Sequence, residues 1–467
     1  MHRQNRKNMN IKHLILMSLL LPPTVISAQE TGPTIDTKTT EQTTHKWTLD
    51  DCIRHAMENS ITLKKSQVAI LSSKEDVEQA KAALLPSLSA STNQSFGWRP
   101  WNEAGVSTVA NGTVVNKISK TYYNGSYAVN AQWTLWNGNR NHNTLKQNKL
   151  TSEKAELDSA TAANTLKEQI ANLYVQILYL NEAIKVNEQS YATSLKNEES
   201  GKAQVEVGKM SKADLAQLTA QTKQDEYNIV NAQAETAKAK LQLKQLLELE
   251  GDMDFDIYIP EESDTKALAE IPSLQGVYQN ALAGRPEIAS GLLNIESQEL
   301  GVKIAKAGKL PQISMNGGLG TSTTSMNNHS WGYQMKTNFD ATAGLSVSIP
   351  IFDNRSTKTS VNKARLAVID ANLDLQDKRK TLYSTIEGYW LDANTNQQKF
   401  KAAQASVESM EASYDLLSEQ FRLGLKNIVE LMTGKNNLVT AQQNMLQSKY
   451  MTILDIQLLK FYNGESL

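Results

Sequence analysis

The chain has very little of the chemistry most enzymes rely on. Its 467 residues include one cysteine, Cys52, so no intrachain disulfide and no cysteine-built zinc site can form. Its six histidines are scattered, and none forms a His-x-x-x-His pair. With 48 basic and 49 acidic residues it has no excess of charge to draw it to nucleic acid. Twenty-three glycines and ten prolines are too few for a linker-like or collagen-like chain. Aromatics make up 6%. Beyond the N-terminus no stretch of 18 consecutive apolar residues occurs, which excludes a membrane-crossing helix there. No Walker A loop, His-Glu-x-x-His or nucleophile elbow is found. Gly317-Gly318-Leu319-Gly320 lies in a strand pattern and is no phosphate loop. The sequence therefore predicts no enzyme, no cofactor and no metal.

What is present begins with a secretory signal. Arg3, Arg6, Lys7 and Lys12 precede an apolar run from Leu14 to Leu21, and Ile26-Ser27-Ala28 ends in a small residue. Residues 1–28 read as a signal peptide whose removal leaves the chain more acidic. Cys52 lies too far on for a lipid-modified N-terminal cysteine. Residues 29–45, rich in Thr, Gln and Glu, read as a disordered leader.

The rest of the chain is written twice. Ala83-Leu84-Leu85-Pro86 recurs as Gly308-Lys309-Leu310-Pro311. Leu135-Trp136-Asn137-Gly138-Asn139-Arg140 recurs as Ile351-Phe352-Asp353-Asn354-Arg355. Val207-Gly208-Lys209 with Ala213-Asp214-Leu215 recurs 216 residues later as Leu423-Gly424-Leu425 with Val429-Glu430-Leu431. Three landmarks in one order mark an internal repeat. The halves span 46–250 and 270–462. Between them 251–269, acidic and carrying Pro260, reads as a surface linker.

Each half predicts long helices and two strands. No proline occurs from 101 to 259 or after Pro350, and good helix formers dominate. Helices are expected at 140–203, 210–249, 355–421 and 427–462, the longest making a rod of roughly 90 Å. Leu166, Ile170, Leu173 and Ile177 keep helical spacing. Strands are expected at 87–98, 123–135, 312–320 and 339–349, where apolar and small polar residues alternate. Val129 and Leu345 belong to the apolar set, Asn130 and Ser346 to the polar set. Aromatics near the ends, among them Phe96, Trp98, Tyr123 and Phe339, then Trp133, Trp136 and Phe352, suit interfacial girdles. A half-buried soluble sheet would alternate in the same way. If the sheet spans a membrane, four strands cannot close without an edge, so an oligomer is required: eight strands from two chains or twelve from three.

In this order and duplication the chain resembles the TolC-like outer-membrane efflux protein family. The resemblance rests on Trp47-Thr48-Leu49-Asp50-Asp51 opening the first helix, on Arg285-Pro286-Glu287-Ile288, and on the paired strand entries, strand exits and glycine turns. Thr48 with Asp51 also reads as a helix N-cap with a first-turn acid. Asn59-Ser60-Ile61 stands where the family usually has Asn-Pro. The resemblance implies a mainly α protein with a membrane β-barrel. It implies a homotrimer whose twelve-stranded barrel in outer-membrane lipid continues as a helical tunnel through the periplasm. It implies a passive exit duct of tripartite efflux or type I-like secretion systems, reached through a periplasmic adaptor protein and an inner-membrane transporter, without nucleic acid.

The resemblance also nominates residues. The tips at Gly208 and Gly424 would meet at the periplasmic end and contact the adaptor. Glu430 stands where the family carries a constriction-ring carboxylate, and three such acids would raise one another's pKa and favour cations. Thr433 stands where some members have a second acid. Asp214, Phe421 and Lys426 align with residues that lock the closed tip. Phe421 lacks a tyrosine hydroxyl and Ala213 lacks an acceptor for Lys426, so any lock here differs. Glu430 and Asp214 also read as ordinary helix-start acids. The competing readings are an exported coiled-coil scaffold without a pore and an envelope enzyme with an unrecognised site.

Overall fold

The computed structural model describes residues 46–101, 108–110, 113–115, 120–250, 255–260 and 264–467. The signal peptide, the leader and residues 251–254 and 261–263 of the expected linker lie outside the described residues.

A two-residue strand β1 (Lys46–Trp47) leads into α1 (Leu49–Asn59) and α2 (Ile61–Ala82). Then come β2 (Ser87–Trp98), the small pair β3 (Thr108–Ala110) and β4 (Thr113–Val115), and β5 (Thr121–Trp136). The long helices α3 (Arg140–Glu206) and α4 (Lys212–Leu246) complete the first half. After β6 (Asp256–Ile257) and α5 (Asp264–Ala267) the pattern returns. It runs α6 (Leu274–Gly284), α7 (Pro286–Ala307), β7 (Gln312–Thr324), α8 (Trp331–Thr337), β8 (Asp340–Ser348), α9 (Ser356–Arg422) and α10 (Ile428–Tyr462).

The helices repeat in length as well as order. α1 and α6 have 11 residues, α2 and α7 have 22, α3 and α9 have 67, and α4 and α10 have 35. The four long helices fall within three residues of the ranges read from sequence. A 67-residue helix is about 100 Å long.

Local chemistry sets the boundaries. Thr48 starts α1 with a full capping box: Asp51 N–H donates to Thr48 Oγ1 at 3.2 Å, and Thr48 N–H donates to Asp51 Oδ2 at 3.3 Å. Ser60, with φ −53° and ψ 124°, separates α1 from α2 without a proline. In the second half Pro286 does this at the first position of α7. Each strand-to-helix exit uses two successive left-handed residues, Gly138 (φ 68°) and Asn139 (φ 63°), then Asn354 (φ 50°) and Arg355 (φ 67°). At Gly138 a Cβ would lie 2.8 Å from Leu310, so the space as well as the angle asks for glycine.

The four main strands form one antiparallel sheet in the order β2-β5-β7-β8. Two apolar cores hold the helices together near their middle. One gathers Cys52, Ile170, Leu243, Ile257, Phe400 and Leu458; the other gathers Val277, Ile288, Ile386, Leu459 and Tyr462. α10 enters both, and its C-terminal half is buried along most of its length.

The segment expected as a surface linker is partly core. Phe255, Ile257 and Ala267 are buried, and β6 pairs in parallel with β1. A two-residue ladder is too short to show a period in the sequence, and acidic neighbours conceal it.

Candidate functional site

The sheet carries two faces of opposite character. Register places Ala90, Val129, Leu319 and Ala341 side by side across all four strands. One level nearer the long helices stand Leu88, Ala131, Gly317 and Ala343, followed by Trp133, Met315 and Leu345. Val129, Leu319 and Leu345 are exposed, so none of the described residues covers this part of the face. The opposite face holds Ser89, Asn130, Gly318 and Thr342, with Gln132, Asn316 and Gly344 beside them. A register shift between Thr134 and Trp136 brings Trp136 opposite Ile313 and onto the apolar side. Trp133 Nε1 donates to the Leu84 carbonyl at 2.9 Å. Among the described residues β2 and β8 each have a strand neighbour on one side alone.

The far ends of the long helices form two equivalent turns. Gly208 (φ 73°) ends α3 in a Schellman motif, its N–H donating to Val205 O at 3.0 Å while Lys209 N–H donates to Gln204 O at 2.8 Å. Gly424 (φ 76°) ends α9 in the same way through Phe421 O and Gln420 O. A cap then starts the return helix. Ser211 Oγ accepts from Asp214 N–H at 3.1 Å, and Asn427 Oδ1 accepts from Glu430 N–H at 2.9 Å. Asp214 and Glu430 are therefore the same structural residue in the two halves, each the third residue of its helix.

Their side chains differ in partners. Asp214 Oδ2 accepts from Ser211 Oγ at 2.7 Å. Glu430 Oε2 accepts from Asn427 N–H at 3.2 Å, and its Oε1 accepts from Lys426 Nζ at 2.6 Å. Among the described residues no ion pair joins Lys426 to Asp214. The hydrogen bond from Lys426, with that from Asn427, holds the Glu430 carboxyl below its usual range. The raised value expected of a ring of acids is thus opposed within each chain by Lys426. Phe421 lies half-buried in the last turn of α9, and Thr433 Oγ1 donates to Val429 O at 2.7 Å. Val207, Leu423, Leu425 and Val429 expose apolar side chains around the two turns.

Two turns up α10 is a charged cluster the sequence reading passed over as solvated helix faces. Lys435 Nζ donates to Asp225 Oδ2 and to Ser194 Oγ. Ser194 Oγ donates to Asp225 Oδ2 at 2.6 Å, and Gln221 Nε2 donates to Asp225 Oδ1 at 3.0 Å. Burial pulls the Lys435 ammonium below its ordinary pKa, against the Asp225 carboxylate that raises it. One signal was available: Lys435 follows Ile428 by seven residues and Leu431 by four, on their buried seam.

Arg285 forms a second hub. Its guanidinium meets Glu168 at 3.1 Å and Glu287 at 3.2 Å and lies over the Tyr462 ring at 3.8 Å. It ties α7 to α3 and α10. Among the described residues no His, Cys, Asp or Glu cluster could hold a metal ion, and no helix is long and apolar enough to cross a membrane.

Comparison with known proteins matches these features. The model of the outer membrane efflux protein family fits residues 52–248 and again 277–464. The outer membrane efflux protein BepC of Brucella suis biovar 1 (strain 1330) is 21% identical over 441 residues, 94% of this chain and 87% of that protein. The toxin and drug export protein A of Aggregatibacter actinomycetemcomitans is 23% identical over 412 residues, 87% of this chain and 83% of that one. The crystal structure of the Campylobacter jejuni CmeC outer membrane channel has the same fold, with a TM-score of 0.73 at 19% identity over 89% of this chain and 86% of that chain. The chain carries the family's unit twice over and belongs to the outer membrane efflux protein family.

Proposed function

We propose that three copies of this chain form the outer-membrane exit duct of a tripartite export system. The observation that carries this reading is the four-stranded sheet, apolar on one exposed face and open at both β2 and β8. In lipid an unpaired strand edge costs several kcal/mol per backbone group, so the edges must meet those of other copies. Three copies give twelve strands and a lumen lined by the Ser, Asn and Thr face. A pore-less coiled-coil scaffold leaves that apolar face unexplained.

The helices α3, α4, α9 and α10 continue the duct away from the membrane. The glycine turns at its far end are the contact for a periplasmic adaptor, through which an inner-membrane transporter supplies energy. Glu430 with Lys426 lines the aperture there. Asp214 closes the tip only if a neighbouring subunit supplies its cation, because Lys426 is engaged with Glu430. The names of the two relatives, an efflux protein and an export protein, support passage of exported molecules.

Planar-bilayer recording of the purified protein tests this. Stepwise conductance from a species that runs as a trimer under mild electrophoresis is expected. A membrane-inserted trimer that conducts no ions would overturn the reading.

A further inference from the structure

The end of the sheet remote from the long helices carries α8 in place of a strand. β8 begins at Asp340, opposite Gly320, whereas β7 runs on to Thr324. The last four residues of β7 therefore lack a strand on that side, and α8 takes its place. Asn338 Nδ2 donates to Ser322 O at 2.7 Å. Gln334 Nε2 donates to Thr324 O at 3.1 Å, and its Oε1 accepts from Thr324 N–H at 2.7 Å. Gln334 is buried and also donates to His329 O at 2.9 Å. Amide side chains replace the ladder bonds of the missing strand and fix the helix in one position.

That position is on the apolar side of the sheet. Thr321 Oγ1 donates to the Met335 carbonyl at 2.7 Å, and Trp331 meets Tyr127 edge to face at 6.1 Å. Thr321 and Tyr127 are register partners on the same face as Val129, Leu319 and Leu345.

The character of that face changes at the same level. From Trp136 and Ile313 out to Val129 and Leu319 it is largely apolar. The next rows outward are Thr92, Tyr127 and Thr321, then Gln94, Gly125 and Thr323. The Tyr123 and Tyr127 hydroxyls lie 3.2 Å apart in this zone. The seven residues of β7 from Ile313 to Leu319 span six steps, about 20 Å along the strand and about 15 Å of height once tilted, so the apolar rows fill much of an outer-membrane apolar band of about 25 Å. The outer limit of the apolar rows therefore coincides with α8.

The exposed side chains of α8 suit that boundary. Trp331 and Tyr333 are 49% and 52% exposed, and Lys336 is exposed. His329 stacks on the Tyr333 ring at 4.4 Å and holds it. Trp and Tyr settle where an apolar body meets lipid and a polar tip meets headgroups, and a lysine stem reaches toward phosphate from the same depth. We propose that α8 is an interfacial helix that seats the sheet at a fixed depth by resting Trp331, Tyr333 and Lys336 in the headgroup layer of the outer leaflet. A helix of seven residues is too short to bind a bilayer alone, but one already fixed by hydrogen bonds loses no freedom on contact. The proposal rests on the apolar face being the lipid face.

Spin-label depth measurement tests both, separately. Tyr333→Cys, Leu345→Cys and Asn130→Cys are each made in the full chain, labelled and reconstituted in lipid vesicles. Native Cys52 stays unlabelled, since burial, then the Asp51 charge, pushes its thiol up to about 12. The Leu345 label should collide mainly with oxygen, and the Asn130 label mainly with a water-soluble nickel chelate. The Tyr333 label should fall between them, at phosphate depth. A label at Lys336 repeats the reading with Trp331 and Tyr333 intact. If the labels on α8 match the Asn130 label while the Leu345 label stays in hydrocarbon, α8 faces water, and the proposal fails although the duct stands. Shielding of the α8 labels from both colliders means that a neighbouring subunit covers the helix, which also overturns it. A water-accessible Leu345 label removes the lipid face and the proposal with it.

Discussion

Lys435 of α10 and Asp225 of α4 form an ion pair with side chains only 4% and 5% exposed. Ser194 of α3 completes it, so three helices are joined at one enclosed point near the glycine turns. The positions 216 residues away are Thr219, Ala441 and Met410, so the pair breaks the duplication and belongs to one place only.

Removing one partner should cost more than removing both. Lys435→Met leaves Asp225 charged and buried, at a cost of about 3–5 kcal/mol. Lys435→Met with Asp225→Leu should recover most of that loss. Unfolding in detergent, with protease cleavage near the turns, measures it. Equal loss in the single and double variants would mean that packing, and not charge, holds the three helices here.

Asp455 should make stability depend on pH. Burial, only partly offset by the hydrogen bond from Asn396 Nδ2 at 3.1 Å, raises its pKa from 3.8 to about 6. The folded chain therefore favours the protonated acid. Its contribution is fully present below the unfolded pKa of 3.8 and is lost as pH rises through 6. Asp455→Asn should then be more stable than the parent at pH 7 by about 2 kcal/mol, and the gap should close below pH 4. Melting curves across this range decide it; a gap that does not vary with pH would assign the effect to packing.

Much of this fold was legible because its signals are periodic and long. The strands 87–98 and 312–320 alternate over most of their observed lengths, and helices of 35 and 67 residues contain no proline and at most one glycine each. Features that depend on a few distant residues left no such trace. The β1–β6 ladder is two residues long, and α8 is placed by side-chain amides of Gln334 and Asn338 that look like loop residues in the sequence. Lys435, Asp225 and Asp455 are buried only because two or three helices meet over them. The tip was partly legible. Asp214 and Glu430 were expected in equivalent places, yet the engagement of Lys426 with Glu430 depends on a turn geometry that residue types do not reveal.

The two faces of the sheet should respond oppositely to charge. Val129→Lys or Leu345→Lys places a charge on the apolar face, at about 2–4 kcal/mol each near a bilayer midplane. Asn130→Lys or Ser346→Lys places it on the polar face. The first pair should reduce trimer in the outer-membrane fraction and the second should not. If the four variants assemble equally, the apolar face does not meet lipid.

The glycine turns should be limited by backbone angle and not by space. A Cβ at Gly208 or Gly424 would meet nothing within 4 Å, but φ is 73° and 76°. Valine in a left-handed conformation costs about 1–2 kcal/mol, while asparagine tolerates it. Gly208→Val with Gly424→Val should weaken export, read as growth under a toxic pump substrate, with the trimer still present in the membrane. The asparagine variants should export nearly as well. Loss of the trimer in the valine variant would move these residues from docking to assembly.

The aperture makes the strictest demand, because two neighbouring substitutions must shift selectivity in opposite directions. Each Glu430 carboxylate has Lys426 at 2.6 Å, so a ring of three subunits would carry three nearly neutral pairs. Lys426→Gln leaves three uncompensated acids, which should strengthen cation preference and block by multivalent cations. Glu430→Gln leaves three free lysines and should reverse that preference. Both effects should fade at high salt, where charges separated by more than about 8 Å in physiological buffer are screened even more closely. Single-channel reversal potentials in a salt gradient measure the shift. Should neither variant change it, Glu430 serves only to start α10, through the cap it shares with Asn427, and the constriction lies elsewhere along the duct.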